Sequence, residues 1–144
     1  MSNSVIVIGT ILIDCKGFAS TPYLPRRNLG SVRFIHGGVG RNVTESLARI
    51  GIDVVMASTV NADSNGQAVV EHLLKCGAGT DYIVQVPERG MELWMAILDE
   101  NGHLAGSISD MPDLAGLEKL MDEQRDGSLV SILAPDLPFI LEIM

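Results

Sequence analysis

The 144-residue chain has few basic residues, and it has no long uninterrupted hydrophobic run. Ten lysines and arginines stand against eighteen acidic residues and give a net charge of −8, which argues against a nucleic-acid surface because such surfaces need clustered basic residues. No apolar run reaches the ~20 residues that span a bilayer. The N-terminus lacks a charged region and a cleavage site. We therefore predict no nucleic-acid partner, no membrane partner and a cytoplasmic location.

Cysteine pairs and metal-ligand spacings are also missing. Cys15 and Cys76 form no CxxC pair, which is typical of a reduced cytoplasmic setting, and both are interpreted as small buried side chains. His36, His72 and His103 lack a ligand-like spacing as well. The sequence therefore predicts no metal site.

Two common nucleotide-binding motifs do not occur. There is no Gly-x4-Gly-Lys-Ser/Thr string anywhere in the chain. A dinucleotide fingerprint requires GxGxxG directly after the first strand. Gly38-Val39-Gly40 supplies only GxG, Val43 occupies the third glycine position, and the cluster follows a later hairpin. A nicotinamide-binding domain is therefore disfavoured.

What is present is an alternation of buried strands and amphipathic helices, typical of an α/β domain with a largely parallel sheet. The capping-box pattern from Ser64 to Gln67 predicts the start of the second helix, and residues 15–35 indicate a loop with a small hairpin.

Strands 82–86, 92–98 and 104–109 are interpreted as an inserted meander, a lid or interface sheet. The apolar end of the chain leads us to expect that the domain continues beyond it. The full set comprises strands over 5–13, 53–60, 82–86, 92–98, 104–109 and 129–133, and helices over 41–50, 64–76, 114–121 and from 137.

The most informative stretch is a glycine cluster, Gly37-Gly38-Val39-Gly40, that leads into a helix. Glycines let backbone N–H groups approach a ligand, and a helix N-terminus adds partial positive charge. Asn42 in the first helical turn is a poor helix former unless it caps the helix or binds something. Together with Asp14 after the first strand, the cluster indicates a pocket for a hydroxylated small molecule. A strand-end turn for Asp14 and a helix cap for Asn42 are the open alternatives.

The string from Gly37 to Thr44, followed by Gly51, resembles the N-terminal signature of the ribokinase-like (PfkB) sugar and nucleoside kinases. The resemblance continues through Asp14, the segment 60–66 and the Leu-x-x-x-Gly end of the next helix. Within the family, these motifs are most similar in sequence to those of pseudouridine kinases, in which a pair like Asp110-Met111 recurs. The chain departs from the family at Asn61, where the pattern has glycine, although asparagine tolerates a left-handed backbone better than most residues.

The resemblance implies an α/β fold, a ribokinase-like (Rossmann-like) three-layer sandwich with a small β-sheet lid. Residues 1–144 would form its N-terminal portion, with lid strands within 15–36 and 82–109. Asp14 would accept hydrogen bonds from sugar hydroxyls, Gly37 and Gly38 would let the sugar approach the backbone, and Asn42 would offer a donor and an acceptor. Trp94 and Asp110 are weaker candidates for substrate or lid contacts, with lid-dimer packing as the alternative for Trp94. Arg41 is expected to be solvated or paired with an acid.

The resemblance further implies ATP-dependent phosphoryl transfer to a hydroxyl of a pseudouridine-like or ribose-like sugar or nucleoside, with ATP and Mg²⁺, and optionally a monovalent cation. The family's Asp-Thr-x-Gly-Ala-Gly-Asp motif, which holds the catalytic base, and its Asn-x-x-Glu motif do not occur in the 144 residues. We therefore expect no catalytic residue in this chain and no phosphoryl transfer by it alone. A non-catalytic sugar- or nucleoside-binding or regulatory module and a homodimer through the lid are further hypotheses.

Overall fold

A computed structural model describes residues 5–113, 115, 117 and 131–133 of the chain. In this part, eight strands and two helices follow one another, and the strands form two four-stranded sheets. The elements are β1 (Val5–Ile8), β2 (Leu12–Ala19), β3 (Gly30–Gly37), α1 (Val39–Arg49), β4 (Val54–Asn61), α2 (Ser64–Lys75), β5 (Gly79–Val86), β6 (Glu92–Leu98), β7 (Leu104–Asp110) and β8 (Ser131–Leu133).

The first sheet is parallel and has the strand order β5-β4-β1-β8. Its central strands are rich in β-branched and apolar residues, as is typical of strands covered on both faces. The connections from β1 to β4 and from β4 to β5 step the same way across the sheet, so right-handed crossovers place α1 and α2 on one face. Val69 and Leu73 of α2 are fully buried against that face and form the core with Val7, Met56 and Val60.

The apolar run 5–13 forms two strands rather than the single strand predicted. β1 pairs within the first sheet, whereas β2 begins at Leu12 and pairs in the second sheet. The break falls at Gly9, where the first turn of α1 packs closely, because a Cβ on Gly40 would lie only 2.7 Å from the Gly9 Cα. Hydrophobicity alone does not reveal this change of sheet, since both strands are apolar.

The second sheet is mixed and has the order β3-β2-β6-β7. β2 runs antiparallel to β3 and parallel to β6, and β6 runs antiparallel to β7. The sequence predicts a loop with a small hairpin over 15–35. The hairpin in the structure is longer than predicted, because β2 and β3 pair over eight residues each. The turn predicted between β6 and β7 is confirmed, with Gly102 at a φ of 83° and its N–H donating to the Asp99 carbonyl.

Strand β5 corrects the interpretation of 82–86 as part of an inserted meander. It pairs parallel with β4, so it is the edge strand of the first sheet in the described part. Only β6 and β7 of that segment belong to the second sheet. An apolar strand fits either sheet, and only its hydrogen-bonded partner distinguishes the two.

The first turns of the helices also differ from the sequence interpretation. Helix α1 begins at Val39 rather than Arg41 and ends at Arg49, followed by Gly51 at a φ of 84°, as expected for a helix stop. Helix α2 is capped by Asp63 rather than Ser64, and the Asp63 carboxylate accepts hydrogen bonds from two backbone N–H groups.

The predicted strand 129–133 is present as β8 over three residues. The helices predicted over 114–121 and from 137 lie outside the described residues, apart from positions 115 and 117, which are helical. Within the described part, neither helix has the length and hydrophobicity needed to cross a membrane.

Candidate functional site

Asp14 lies inside strand β2, so the strand-end interpretation of this residue is wrong. Its direct neighbours across the sheet are Ile35 in β3 and Trp94 in β6. Paired residues on neighbouring strands point to the same face, so Asp14, Lys16 and Trp94 share one face of the second sheet. The Lys16 Nζ lies 3.3 Å from the Asp14 Oδ2 and 5.4 Å from the Trp94 ring centroid. We call these three residues the Asp14 cluster.

Gly37 lies directly beside the Asp14 carboxylate. A Cβ at Gly37 would come within 3.4 Å of the Asp14 Oδ2 and 2.7 Å of the Leu12 Cδ1. Glycine at this position therefore keeps the space beside the carboxylate open. The side chains of Asp14 and Lys16 are 19% and 28% exposed, so the cluster is partly desolvated yet reachable.

Gly38 has a different role, which the backbone imposes. Its φ is 104°, and a Cβ would lie 2.4 Å from the carbonyl oxygen of Thr10. Only glycine fits this position without a shift of the backbone. Gly38 is also the N-cap residue of α1, and no side chain caps this helix. The helix-cap interpretation of Asn42 is therefore wrong.

The side chain of Asn42 is held by its neighbour in the chain. Arg41 donates from Nη2 to the Asn42 Oδ1 over 2.7 Å and to the His36 carbonyl oxygen over 3.0 Å. The same guanidinium donates from Nη1 to the Glu45 carboxylate over 2.8 Å. The expectation that Arg41 pairs with an acid is confirmed, and this pairing fixes the amide oxygen of the exposed Asn42 toward the guanidinium.

Glu45 is the centre of a polar network that the sequence interpretation missed. Besides Arg41, it accepts hydrogen bonds from Arg49 and lies 3.1 Å from the His72 Nε2. The hydrogen bond from Arg49, together with His72 and the charge of Arg41, holds the pKa of Glu45 below its ordinary value. The network ties α1 to α2.

Glu45, His72 and Cys76 each place a potential metal-ligand atom within 4.8 Å of the others. The i, i+4 spacing of His72 and Cys76 is visible in the sequence, but Glu45 lies on the other helix. Its negative charge is already balanced by two guanidinium groups. The Glu45 carboxylate is therefore already paired with cationic groups of the protein itself.

Asp110 lies apart from the Asp14 cluster. It pairs with Leu93, which in turn pairs with Ile13, so it occupies the opposite face of the second sheet. Its carboxylate is 61% exposed and lies 3.5 Å from the Arg89 Nε. Of the six predicted site residues, the structure brings together Asp14, Gly37 and Trp94.

A cavity of about 420 Å³ opens on that opposite face, between the second sheet and the start of α2. His36 lines this cavity. Burial, together with the charges of Arg41 and His72, lowers the pKa of His36 and favours its neutral imidazole. Asn61 closes one side, and its Oδ1 accepts hydrogen bonds from the N–H groups of Gly90 (2.7 Å) and Met91 (3.2 Å). Its lining residues are Ile13, Phe34, His36, Asn61, Asn65, Met91, Glu92 and Leu93.

The family of this chain follows from comparison with known sequences. The model of the pfkB family carbohydrate kinases matches residues 2–126. The chain belongs to the pfkB family. The resemblance inferred from the glycine-rich signature is thereby confirmed.

Two relatives of this pfkB-family chain carry names that refer to nucleosides. A guanosine-inosine kinase from Exiguobacterium acetylicum is 35% identical over 145 residues, which cover 99% of this chain and 48% of that protein. A pseudouridine kinase from Escherichia coli K12 is 32% identical over 109 residues, which cover 74% of this chain and 34% of that protein. The pfkB-family chain thus spans at most about half the length of these relatives.

Solved structures confirm the ribokinase-like fold class. A crystal structure from Clostridium perfringens superposes with a TM-score of 0.82 at 30% identity, over 96% of this chain and 46% of that one. A ribokinase from Cryptococcus neoformans, in complex with ADP, superposes with a TM-score of 0.71 over 95% of this chain and 50% of that one. At 17% identity, the second likeness supports the fold alone.

Proposed function

We propose that this pfkB-family chain forms the substrate-binding part of an ATP-dependent kinase that phosphorylates a hydroxyl of a ribose-like sugar or a nucleoside. The observation that carries the proposal is the partly desolvated Asp14 carboxylate beside the bare backbone of Gly37. The nucleoside names of two relatives support a substrate that contains ribose.

Each residue of the proposed site has a role that its geometry supports. Asp14 accepts hydrogen bonds from sugar hydroxyls, and a carboxylate with about four lone-pair sites retains acceptor capacity beside Lys16. Gly37 lets the sugar ring approach the backbone. Asn42 presents its amide nitrogen as a donor, because Arg41 holds the amide oxygen. Trp94 offers an apolar wall on the same face as Asp14.

ATP is the phosphoryl donor in this proposal, since the pfkB family uses ATP. In the part of the chain that the structure describes, the Asp14 carboxylate is paired with Lys16, so we assign no Mg²⁺ to Asp14. We propose that the catalytic base and the sites for ATP, Mg²⁺ and a monovalent cation are formed by residues outside this chain. The 144-residue chain alone then transfers no phosphoryl group.

The test compares the full-length product of the gene with the 144-residue chain, each with ATP and with ribose, fructose, pseudouridine, inosine or adenosine. We expect transfer only by the full-length product. Asp14→Asn should lower its kcat/KM by roughly 10- to 100-fold for every substrate, because hydrogen bonds to a charged acceptor are lost. Asp81→Asn, at an exposed position of β5, is the matched control. Unchanged kinetics in Asp14→Asn, or transfer by the short chain, would refute the proposal.

A non-catalytic binding or regulatory module is the second candidate, because the 144 residues hold no Asp-Thr-x-Gly-Ala-Gly-Asp motif. Thermal-shift measurements with the same sugars and nucleosides distinguish the two. Stabilisation of the chain by a ligand, combined with no transfer by the full-length product, would favour the binding module.

We also propose that the chain forms a homodimer through the second sheet. The face opposite Asp14 exposes large apolar side chains from three of its four strands, and exposed apolar surface of this kind is typical of an interface. We call this surface the apolar face. It comprises Val32, Phe34, Leu93, Met95, Ile97 and Ile108.

A further inference from the structure

We infer that Lys16 selects substrates whose ring, attached to the sugar, carries a carbonyl oxygen. This inference rests on the proposed function, because it assumes that Asp14 holds the sugar. It concerns the part of the same site next to Asp14 and names the substrate class as an oxo-substituted nucleoside. Lys16 would donate a hydrogen bond to the ring carbonyl.

The position of Lys16 follows from the strand geometry. Two residues along β2 correspond to a step of about 7 Å, and both side chains point to the same face. A ring attached to a sugar at Asp14 would therefore lie alongside Lys16. The ammonium is held between the Asp14 carboxylate and the Trp94 ring, so its position is defined before a ligand binds.

The neighbours of Lys16 in β6 include one small side chain and one aromatic side chain. Ala96 lies directly opposite Lys16 in β6, between Trp94 and Leu98, and its small side chain is buried. Trp94 supplies an aromatic wall against which a planar ring can pack. The polar partners of Trp94 and Ala96 in β7 are Ser109 and Ser107.

The positive charges near Asp14 favour a ligand group that accepts a hydrogen bond over one that donates a hydrogen bond. Arg33 lies opposite Lys16 in β3, and its guanidinium lies 5.2 Å from the Phe18 ring centroid. Two cations on neighbouring strands create a positive potential there. A carbonyl oxygen is stabilised by that potential, whereas the partial positive charge of an amino group's N–H donors is not.

Inosine and adenosine test this reading, because the purine of inosine carries an oxygen where that of adenosine carries an amino group. We expect Lys16→Met in the full-length product to lower kcat/KM for inosine by roughly tenfold or more, while the values for ribose and adenosine change less than about threefold. Lys16→Arg keeps a cationic donor and should retain most of the inosine preference. Lys75→Met, at an exposed lysine of α2, is the matched control.

Each result decides between specific alternatives. An equal loss for ribose, inosine and adenosine would mean that Lys16 only positions Asp14, and the inference would fail while the proposed function stands. Calorimetric binding of the same compounds separates affinity from turnover. A wild-type protein that neither binds nor phosphorylates any of them would refute the proposed function itself.

Discussion

Asn61 shows how a side chain can occupy a position where the family signature has glycine. It ends β4 with an ordinary backbone, since Arg89 is the only non-glycine residue with a positive φ in the described part. The expectation that Asn61 serves by tolerating a left-handed backbone is therefore wrong. Instead, its amide oxygen accepts the N–H groups of Gly90 and Met91 and holds the segment that leads into β6.

Replacing Asn61 tests this role. We expect Asn61→Gly to lower the free energy of unfolding by about 2 kcal/mol, because two partly buried N–H groups lose their acceptor at about 1 kcal/mol each. Urea denaturation followed by circular dichroism measures the change. Asn65→Ala, on the exposed first turn of α2, should change stability by less than about 0.5 kcal/mol. A glycine variant as stable as wild type would show that the amide bonds contribute nothing.

Part of the candidate site could be predicted from individual residues. The glycine-rich string and its family resemblance pointed to Asp14 and Gly37, which the structure places side by side. Lys16 could not be found in this way, because its proximity to Trp94 depends on the pairing of β2 with β6. The sequence interpretation expected only some acid as a partner for Arg41. Glu45 lies at the local i, i+4 spacing, whereas its link to His72 requires the packing of two helices.

At the scale of elements, the start of α2 depends on a residue that the capping-box pattern overlooked. The pattern Ser64 to Gln67 has the correct spacing, but Asp63 supplies the cap and Gln67 bonds to Glu71 instead. A carboxylate one residue earlier reaches the same N–H groups and carries a full charge near the helix N-terminus. Sequence patterns place helix ends only to within a residue or two for this reason.

The Asp63 cap gives a prediction with a pH signature. Asp63→Ala should lower the free energy of unfolding by about 1 kcal/mol at pH 7, and Ser64→Ala by only a few tenths. The hydrogen bond from the Gly66 N–H, with others from Asn61 and Asn65, lowers the pKa of Asp63 in the folded state. Its stabilisation is thus present above the ordinary pKa of about 4 and is lost as the pH falls through the lowered value.

The measurement is the difference in stability between wild type and Asp63→Ala from pH 7 down to pH 2, by urea denaturation. The difference should shrink toward zero at the acid end. A larger effect in Ser64→Ala than in Asp63→Ala would restore the capping box. A difference that stays constant with pH would show that the charged form of Asp63 gives no stabilisation.

The sheet assignments show where sequence patterns stop being informative. Strand positions were largely predictable, because β-branched runs mark them whichever sheet they join. The sheet to which each strand belongs was not, as the split of 5–13 and the pairing of β5 with β4 demonstrate. Both depend on contacts between segments that are separated in the chain.

At the scale of the whole molecule, the apolar face predicts self-association. Phe34, on the edge strand β3 of this face, is 71% exposed, and burial of such a side chain in an interface favours dimers. We expect sedimentation velocity to show a concentration-dependent dimer that Phe34→Glu converts to monomer. Ile50→Glu, at a residue 74% exposed beyond the end of α1 and away from this face, should leave the dimer intact. A monomer at all concentrations, or equal effects of both variants, would contradict the interface.

The parallel pairing of β2 with β6 has a consequence for how the protein folds. It joins residues on either side of the whole β3–α1–β4–α2–β5 segment, so it closes a long loop and is entropically slow. The pairings of β2 with β3 and of β4 with β5 join strands that are closer in sequence, so these pairs can form earlier. A chain still emerging from the ribosome therefore holds Asp14 beside Gly37 but lacks Trp94 until β6 docks. In the proposed site, the contact between Asp14 and Trp94 therefore forms only when β6 docks, and a ligand bound there would stabilise that step rather than the earlier pairing of β2 with β3.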